Sequence, residues 1–230
     1  MPKISFSCLP EWEAFAVPPT PASHHTPQWF RALEGYPPDP PSDEFPVPTV
    51  KRCSPFKDAM YGGYLLRLSA DLQVVAKDPD DVNFNWSPGL EREMIQSHGV
   101  AQYAGFPAAG IAFKFINPWI VKTPPGYSSL FVTPMNRALG PFQILSGVVD
   151  TDLYENSVNF PFFWVEYPWE GILEAGTPIA QVIPFKREPW KLKVEELRGK
   201  AQDAVMRTRS GIFARRHFYT KLVRQRKEWR

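Results

Sequence analysis

From about residue 47 to 186 the chain runs as short apolar stretches cut by Pro, Gly, Asn and Asp. Short β-rich runs bounded in this way predict strands. Tyr64-Leu65-Leu66-Arg67-Leu68 and Leu72-Gln73-Val74-Val75-Ala76 flank a brief polar turn and predict a hairpin. Further strands are expected over 111–116, 119–122, 129–133, 143–149, 157–166 and 179–185. Pro161 falls inside one of them, and proline lacks the N–H that a ladder needs, so it predicts an edge or a bulge there. Strands so short and so closely spaced predict an antiparallel sandwich or barrel, not a parallel α/β sheet. After residue 187 the period changes. Leu197, Ala201, Ala204, Val205, Thr208 and Ile212 recur at three- and four-residue steps, the spacing of one helix face. Gly211 is expected to break or kink that helix.

Twelve of the 26 prolines lie in the first 50 residues. Each fixes its own φ and removes a donor, so this stretch cannot enter a sheet interior or a long helix. Its aromatics, Trp12, Phe15, Trp29, Phe30 and Tyr36, suggest an arm laid over a folded body. The expected organisation is therefore an arm over 1–46, a β-sandwich over 47–186 and a basic helical tail over 187–230.

Composition changes the picture in two respects. The 230 residues are 43% hydrophobic and 14% aromatic, enough for a sizeable core. No apolar run approaches the roughly 20 residues that a membrane helix needs. Net charge is only +2, but residues 186–230 hold 15 Lys+Arg against 5 Asp+Glu, a net of +10, which leaves −8 on the first 185. An acidic body with a basic, aromatic-bearing tail admits nucleic acid as a partner of 187–230, or a solvated face packed by its apolar stripe against the acidic body or a neighbouring subunit. Cys8 and Cys53 are too few for a disulfide framework or a cysteine zinc site. The N-terminal residues do not read as a secretory signal, so a reducing, cytoplasmic compartment is expected. His24, His25, His98 and His217 show no metal-ligand spacing, and no metal site is expected on them. Cys53 beside Arg52 reads as a buried, inert thiol.

Chemistry is offered by few residues. Asp150 and Asp152 stand two apart on a strand end and could face one way to hold a cation or a water, or could simply close a turn. The cluster Phe160, Phe162, Phe163, Trp164, Tyr167 and Trp169 suits a core or a subunit interface, and could also stack a base.

Three phrases in order, Val121-Lys122-Thr123-Pro124-Pro125-Gly126-Tyr127, Ser146-Gly147-Val148-Val149-Asp150 and Gly176-Thr177-Pro178-Ile179-Ala180-Gln181, resemble the trimeric dUTPase and dCTP deaminase family. The resemblance spans about 58–186 and implies a jelly-roll or β-clip sandwich and a homotrimer. It would make Asp150 the water-activating base, Arg137 and Gln181 phosphate contacts, Asp152 a further ligand contact and Tyr154 a base or sugar platform. The phosphate-gripping turn of that family would fall at Pro134-Met135-Asn136-Arg137, where its serine and glycine are missing, and the glycine-rich lid is missing as well. The incomplete set argues against a working dUTPase. Mg²⁺ is expected only if a nucleotide is handled, and no other cofactor is indicated.

Over nearly its whole length the chain also resembles a family of uncharacterised proteins of tailed phages and bacteria. The phrases that carry this are Thr49-Val50-Lys51-Arg52-Cys53-Ser54-Pro55-Phe56-Lys57-Asp58-Ala59-Met60, Lys114 to Tyr127, Phe160-Pro161-Phe162-Phe163-Trp164 and Ala180 to Glu188. The expectation is a non-catalytic binding or structural protein, with a divergent nucleotide enzyme and a nucleic-acid binder as alternatives.

Overall fold

The alternation of buried and exposed positions resolves into fourteen strands among the described residues, every pairing antiparallel. The computed structural model describes residues 2–38, 48–87, 92–106, 110–137, 140–214 and 218–229. In chain order the strands are β1 (Ser5–Ser7), β2 (Thr20–Pro21), β3 (Tyr64–Arg67), β4 (Leu72–Asp78), β5 (Asp81–Trp86), β6 (Ile95–Ser97) and β7 (Ala112–Phe115). They continue with β8 (Ile120–Lys122), β9 (Tyr127–Val132), β10 (Phe142–Ile144), β11 (Gly147–Val149), β12 (Phe160–Trp164), β13 (Trp169–Leu173) and β14 (Pro178–Lys186). The α-helices are α1 (Pro10–Glu13), α2 (Gln28–Ala32), α3 (Ser54–Tyr61) and α4 (Lys200–Ala214). The chain forms two units, one of Met1–Ala32, Ala59–Arg187 and Trp229–Arg230, the other of Leu33–Asp58 and Glu188–Glu228.

The first unit is an antiparallel β-sandwich. Its sheets run β11-β9-β14-β3-β2, β10-β12-β7-β6 and β13-β4-β5, with a β1-β8 pair besides. Their inward rows meet in one core: Leu66, Phe131, Ala180 and Val182 from the first sheet, Phe115, Phe160, Phe162 and Trp164 from the second, Leu72 and Val74 from the third. Phe162 stacks on Phe115 with ring centroids 4.1 Å apart. On the opposite face of β12, Phe163 lies under Phe106 at 5.5 Å, so this strand is apolar on both sides because both are covered. The aromatic cluster is thus core. The described residues of the proline-rich N-terminal stretch enter sheets at edges, through β2 at the end of the five-stranded sheet and β1 against β8, while Trp12 packs on the core and Phe30 is buried.

Five expectations are corrected, the fifth at Gly211 of α4. The runs at 64–68 and 72–76 are not a hairpin: β3 pairs with β14 and β4 with β5. Leu68 turns the corner between sheets, exchanging backbone bonds with Thr177 and Gly176. The run 143–149 is two strands in different sheets, β10 on β12 and β11 on β9. Pro161 sits in a central strand. Its carbonyl accepts from the Leu145 N–H, on the side where β10 has already ended at Ile144, and the proline nitrogen faces that same side, so the β7 ladder loses nothing. Cys53 is exposed.

In the second unit, Asp58 receives a two-pronged contact from Arg224 (Nη2–Oδ1 2.5 Å, Nε–Oδ2 3.0 Å) and a third from Lys227 at 3.0 Å. These bonds, Arg224 foremost, hold the Asp58 carboxyl below its usual pKa. Ser54 and Thr220 hydroxyls meet at 2.9 Å. Helix α4 runs through Gly211 to Ala214 without a break, because the missing Cβ leaves room for the Phe218 ring, which would stand 2.3 Å from it. Among the described residues no helix is long and apolar enough to cross a membrane.

Candidate functional site

β9 ends at Val132, opposite Gln181 of β14. Gln181 is wholly buried on the sheet face away from Ala180 and Val182, and its amide is fully engaged. Oε1 accepts from the Met135 N–H at 2.8 Å, and Nε2 donates to Ala59 O (2.9 Å) and Gly62 O (2.5 Å). The next residue, Asn136, has φ 55°, a left-handed conformation that asparagine tolerates. That turn directs Arg137 inward. Its guanidinium donates to Ala22 O at 3.0 Å, to Met60 O at 3.3 Å and to His25 O. An arginine has five donors. Three are used here, and Nε is buried without a partner. Among the described residues no carboxylate pairs with it. Burial lowers the pKa of Arg137, with Tyr61 opposing.

Arg137 lines a cavity of about 550 Å³. His24, His25 and Arg31 come to it from the N-terminal stretch, Pro141 and Phe142 from the start of β10, and Leu173 and Thr177 from the turn between β13 and β14. Among the described residues the lining holds two arginines and two histidines and no acid. His25 Nε2 meets Thr20 Oγ1 at 2.7 Å. Burial first, then Arg67, Arg137 and His24, hold its pKa below the ordinary 6.5, so the imidazole is neutral at pH 7.

The carboxylates lie elsewhere. The turn after β11 brings the Leu153 and Tyr154 N–H groups to Asp150 O, both at 2.9 Å, and buries Thr151, whose hydroxyl joins those of Thr123 (2.8 Å) and Ser129 (2.9 Å). Above this buried knot Asp150 accepts from Ser128 Oγ at 2.6 Å, and Asp152 from the Gly126 N–H at 2.8 Å. Arg187 clamps both, Nη1 at 3.2 Å from Asp150 and 2.8 Å from Asp152, with Nη2 on the second oxygen of Asp152. The Asp152 side chain is 4% exposed, that of Asp150 56%. Tyr154 points into solvent nearby, 43% exposed. Among the described residues no three His, Cys, Asp or Glu side chains converge as a metal site would require.

Asp150 and Asp152 flank the Tyr127 end of β9, whereas Arg137 follows its Val132 end. At about 3.4 Å per residue those ends are about 17 Å apart. One chain therefore brings Asp150, Asp152 and Tyr154 together, and Arg137 and Gln181 together, but not the two groups.

The Arg187 bonds pull the Asp152 pKa from 3.8 to about 2, ahead of the Gly126 N–H. A depressed carboxyl contributes stability above its unfolded pKa and loses it as pH falls through the folded one. The melting temperature of the native chain should therefore drop between pH 3.8 and about 2, and that of Asp152→Asn should drop less over the same window. Equal slopes would show that the clamp contributes nothing.

No protein-family model matches the chain, and no curated protein matches it. In the sequence His24 and His25 are weighed only as metal ligands, and Arg31 and Arg187 carry no signal. The histidines and Arg31 follow a run of prolines and carry no periodic signal, and the partners of Arg187 stand 35 and 37 residues before it.

Proposed function

We propose that the chain is a non-catalytic binding protein whose ligand is a small molecule with an anionic group and an apolar portion, seated in the Arg137 cavity. The carrying observation is Arg137 itself: a half-buried guanidinium held by backbone carbonyls, with a donor unmet, in a wall whose described residues include a second arginine and two histidines and no acid. Carbonyl dipoles satisfy hydrogen bonds without supplying a counter-charge, and a phosphate or carboxylate supplies one. The volume lies in the range of small-ligand sites. Catalysis by Asp150 is disfavoured by its distance along β9 and by its engagement with Ser128 and Arg187. A nucleotide belongs to the ligand class, and Mg²⁺ would enter with it.

The test is thermal stability against nucleoside mono- and triphosphates, with and without Mg²⁺, aryl and alkyl carboxylates, and their neutral counterparts. A ligand at 100 times its Kd adds about 2.7 kcal/mol, a readily seen shift. Anions should shift the melting temperature and neutral counterparts should not. Arg31→Ala, which leaves the Arg137 hold on the backbone intact, should weaken binding by about tenfold or more, the worth of one charge-assisted bond. Affinity should rise as pH falls, because a bound anion favours the protonated form of His25. No anion-selective shift would sink the binding reading. Turnover of a nucleotide that Asp150→Asn abolishes would replace it with the enzymatic one.

A further inference from the structure

Glu188 to Arg198 follows β14 and has neither helix nor ladder. Within it Trp190, Leu192 and Val194 are 91%, 87% and 87% exposed. They alternate with Lys191 and Lys193, the period of a strand with one apolar face and one basic face. Three large apolar side chains in a row, each bare to water, mark a contact surface. Among the described residues Lys193 pairs with the neighbouring Glu195, both exposed, an ion pair of little worth.

The matching surface is on the first unit. β13 is an edge strand of the β13-β4-β5 sheet, and it is five residues long like the Trp190–Val194 run. One face of it points inward with Trp169 and Leu173. The other carries Glu170 and Ile172, with Glu174 next in the same row, all exposed. A strand added to that edge would continue the inner row with its apolar side chains and set Lys191 and Lys193 along the outer Glu170–Ile172–Glu174 row, one lysine opposite a glutamate and the other opposite Ile172 and diagonal to the second glutamate. The other outer edges fit less well: β11, β10 and β6 have three residues each, and β5 offers Asn83 and Asn85 outward.

We infer that residues 190–194 of one copy add as a strand to the free edge of β13 in a second copy. The partner is another copy because each chain carries one acidic edge and one basic strand, and because the charge of the whole chain divides the same way, +10 on residues 186–230 and −8 on the remainder. Every copy both gives and receives, so a closed assembly leaves neither surface bare. This contact is independent of the Arg137 cavity.

The experiment is sedimentation of the full chain over a range of protein and salt concentrations, with four variants. Native chain should sediment as a multi-copy assembly that weakens with salt. Glu170→Lys with Glu174→Lys, and separately Lys191→Glu with Lys193→Glu, should each give monomers with unchanged circular dichroism. The chain carrying all four swaps should assemble again. Trp190→Ser with Leu192→Ser should be monomeric. A monomeric native chain at every concentration, or an assembly indifferent to the swaps, overturns the inference. So does a monomer that binds an RNA oligonucleotide through Lys191 and Lys193, which would assign the strand to nucleic acid.

Discussion

Gln181→Leu is expected to lower the stability of the chain by about 3–6 kcal/mol, because each buried polar group left without a partner costs about 1–3 kcal/mol. Leucine fills a similar volume, so the loss is one of hydrogen bonding. The Met135 N–H and the Ala59 and Gly62 carbonyls would all be stranded, with only a long contact from the Gly62 N–H (3.4 Å) left to Ala59 O. Domains of this size are stable by about 5–15 kcal/mol, so the variant would stand near its unfolding threshold at ordinary temperature. The measurement is the midpoint of urea unfolding. Gln181→Glu sharpens it: the acid still accepts from Met135, but as an anion it faces two carbonyls, so it should be destabilised at neutral pH and partly rescued in mild acid. A loss under about 1 kcal/mol for the leucine variant, below the cost of a single stranded group, would mean that this amide does not fasten the loop to α3. A functional consequence follows. Met135 is two residues from Arg137, so loosening it should also degrade anion binding in whatever fraction remains folded.

Gly63→Ala should be at least as damaging. Gly63 has φ +67°, and a Cβ there would stand 1.9 Å from the Val182 carbonyl oxygen, backbone that no rotamer change can move. The left-handed conformation alone costs a non-glycine residue about 1–2 kcal/mol. The overlap forces β3 away from β14, where Tyr64 pairs with Val182, and pulls on the Ala22 N–H that Gly63 O accepts at 3.0 Å. A total above about 4 kcal/mol is expected, in the range that only strain and core disruption reach. Gly147→Ala is the control. No atom lies within 4 Å of its would-be Cβ and its φ is not left-handed, so the same substitution should be nearly neutral. Comparable unfolding midpoints for the two variants would contradict the close approach of β3 to β14.

The strands were largely legible because their cause is local. Ala112–Phe115, Ile120–Lys122 and Tyr127–Val132 are apolar and β-branched runs, and Asn117-Pro118 and Pro124-Pro125-Gly126 end them wherever the chain must turn. Pairing was not legible, because it depends on what each edge finds. Leu72–Asp78 is separated from β3 by residues 68–71 and from β5 by residues 79–80, both short enough for a hairpin, and the corner at Leu68 with its bonds to Gly176 and Thr177, more than 100 residues on, turns it away from β3. The site was half visible for the same reason. Arg137 stood out through its place in a turn that resembles a phosphate grip. The residues that complete its cavity come from segments separated by as much as 150 residues, with no shared spacing. Gln181 was conspicuous in its strand. Strand parity sets it opposite Ala180 and Val182, but the carbonyls it meets there belong to residues 59 and 62, whose positions no pattern in β14 encodes.

The union of Asp58 with Arg224 also sets an order of events. The two residues are 166 apart in the chain, and every strand of the sandwich is complete by Lys186. During synthesis, residues 33–58 emerge early, yet the Asp58 carboxylate has no Arg224 to donate to it until nearly forty residues after the end of β14. Closing so long a loop from an unfolded chain carries a large entropic cost, which a prior collapse of the intervening sandwich greatly reduces. The second unit is therefore expected to close last, after the strands of the first have formed.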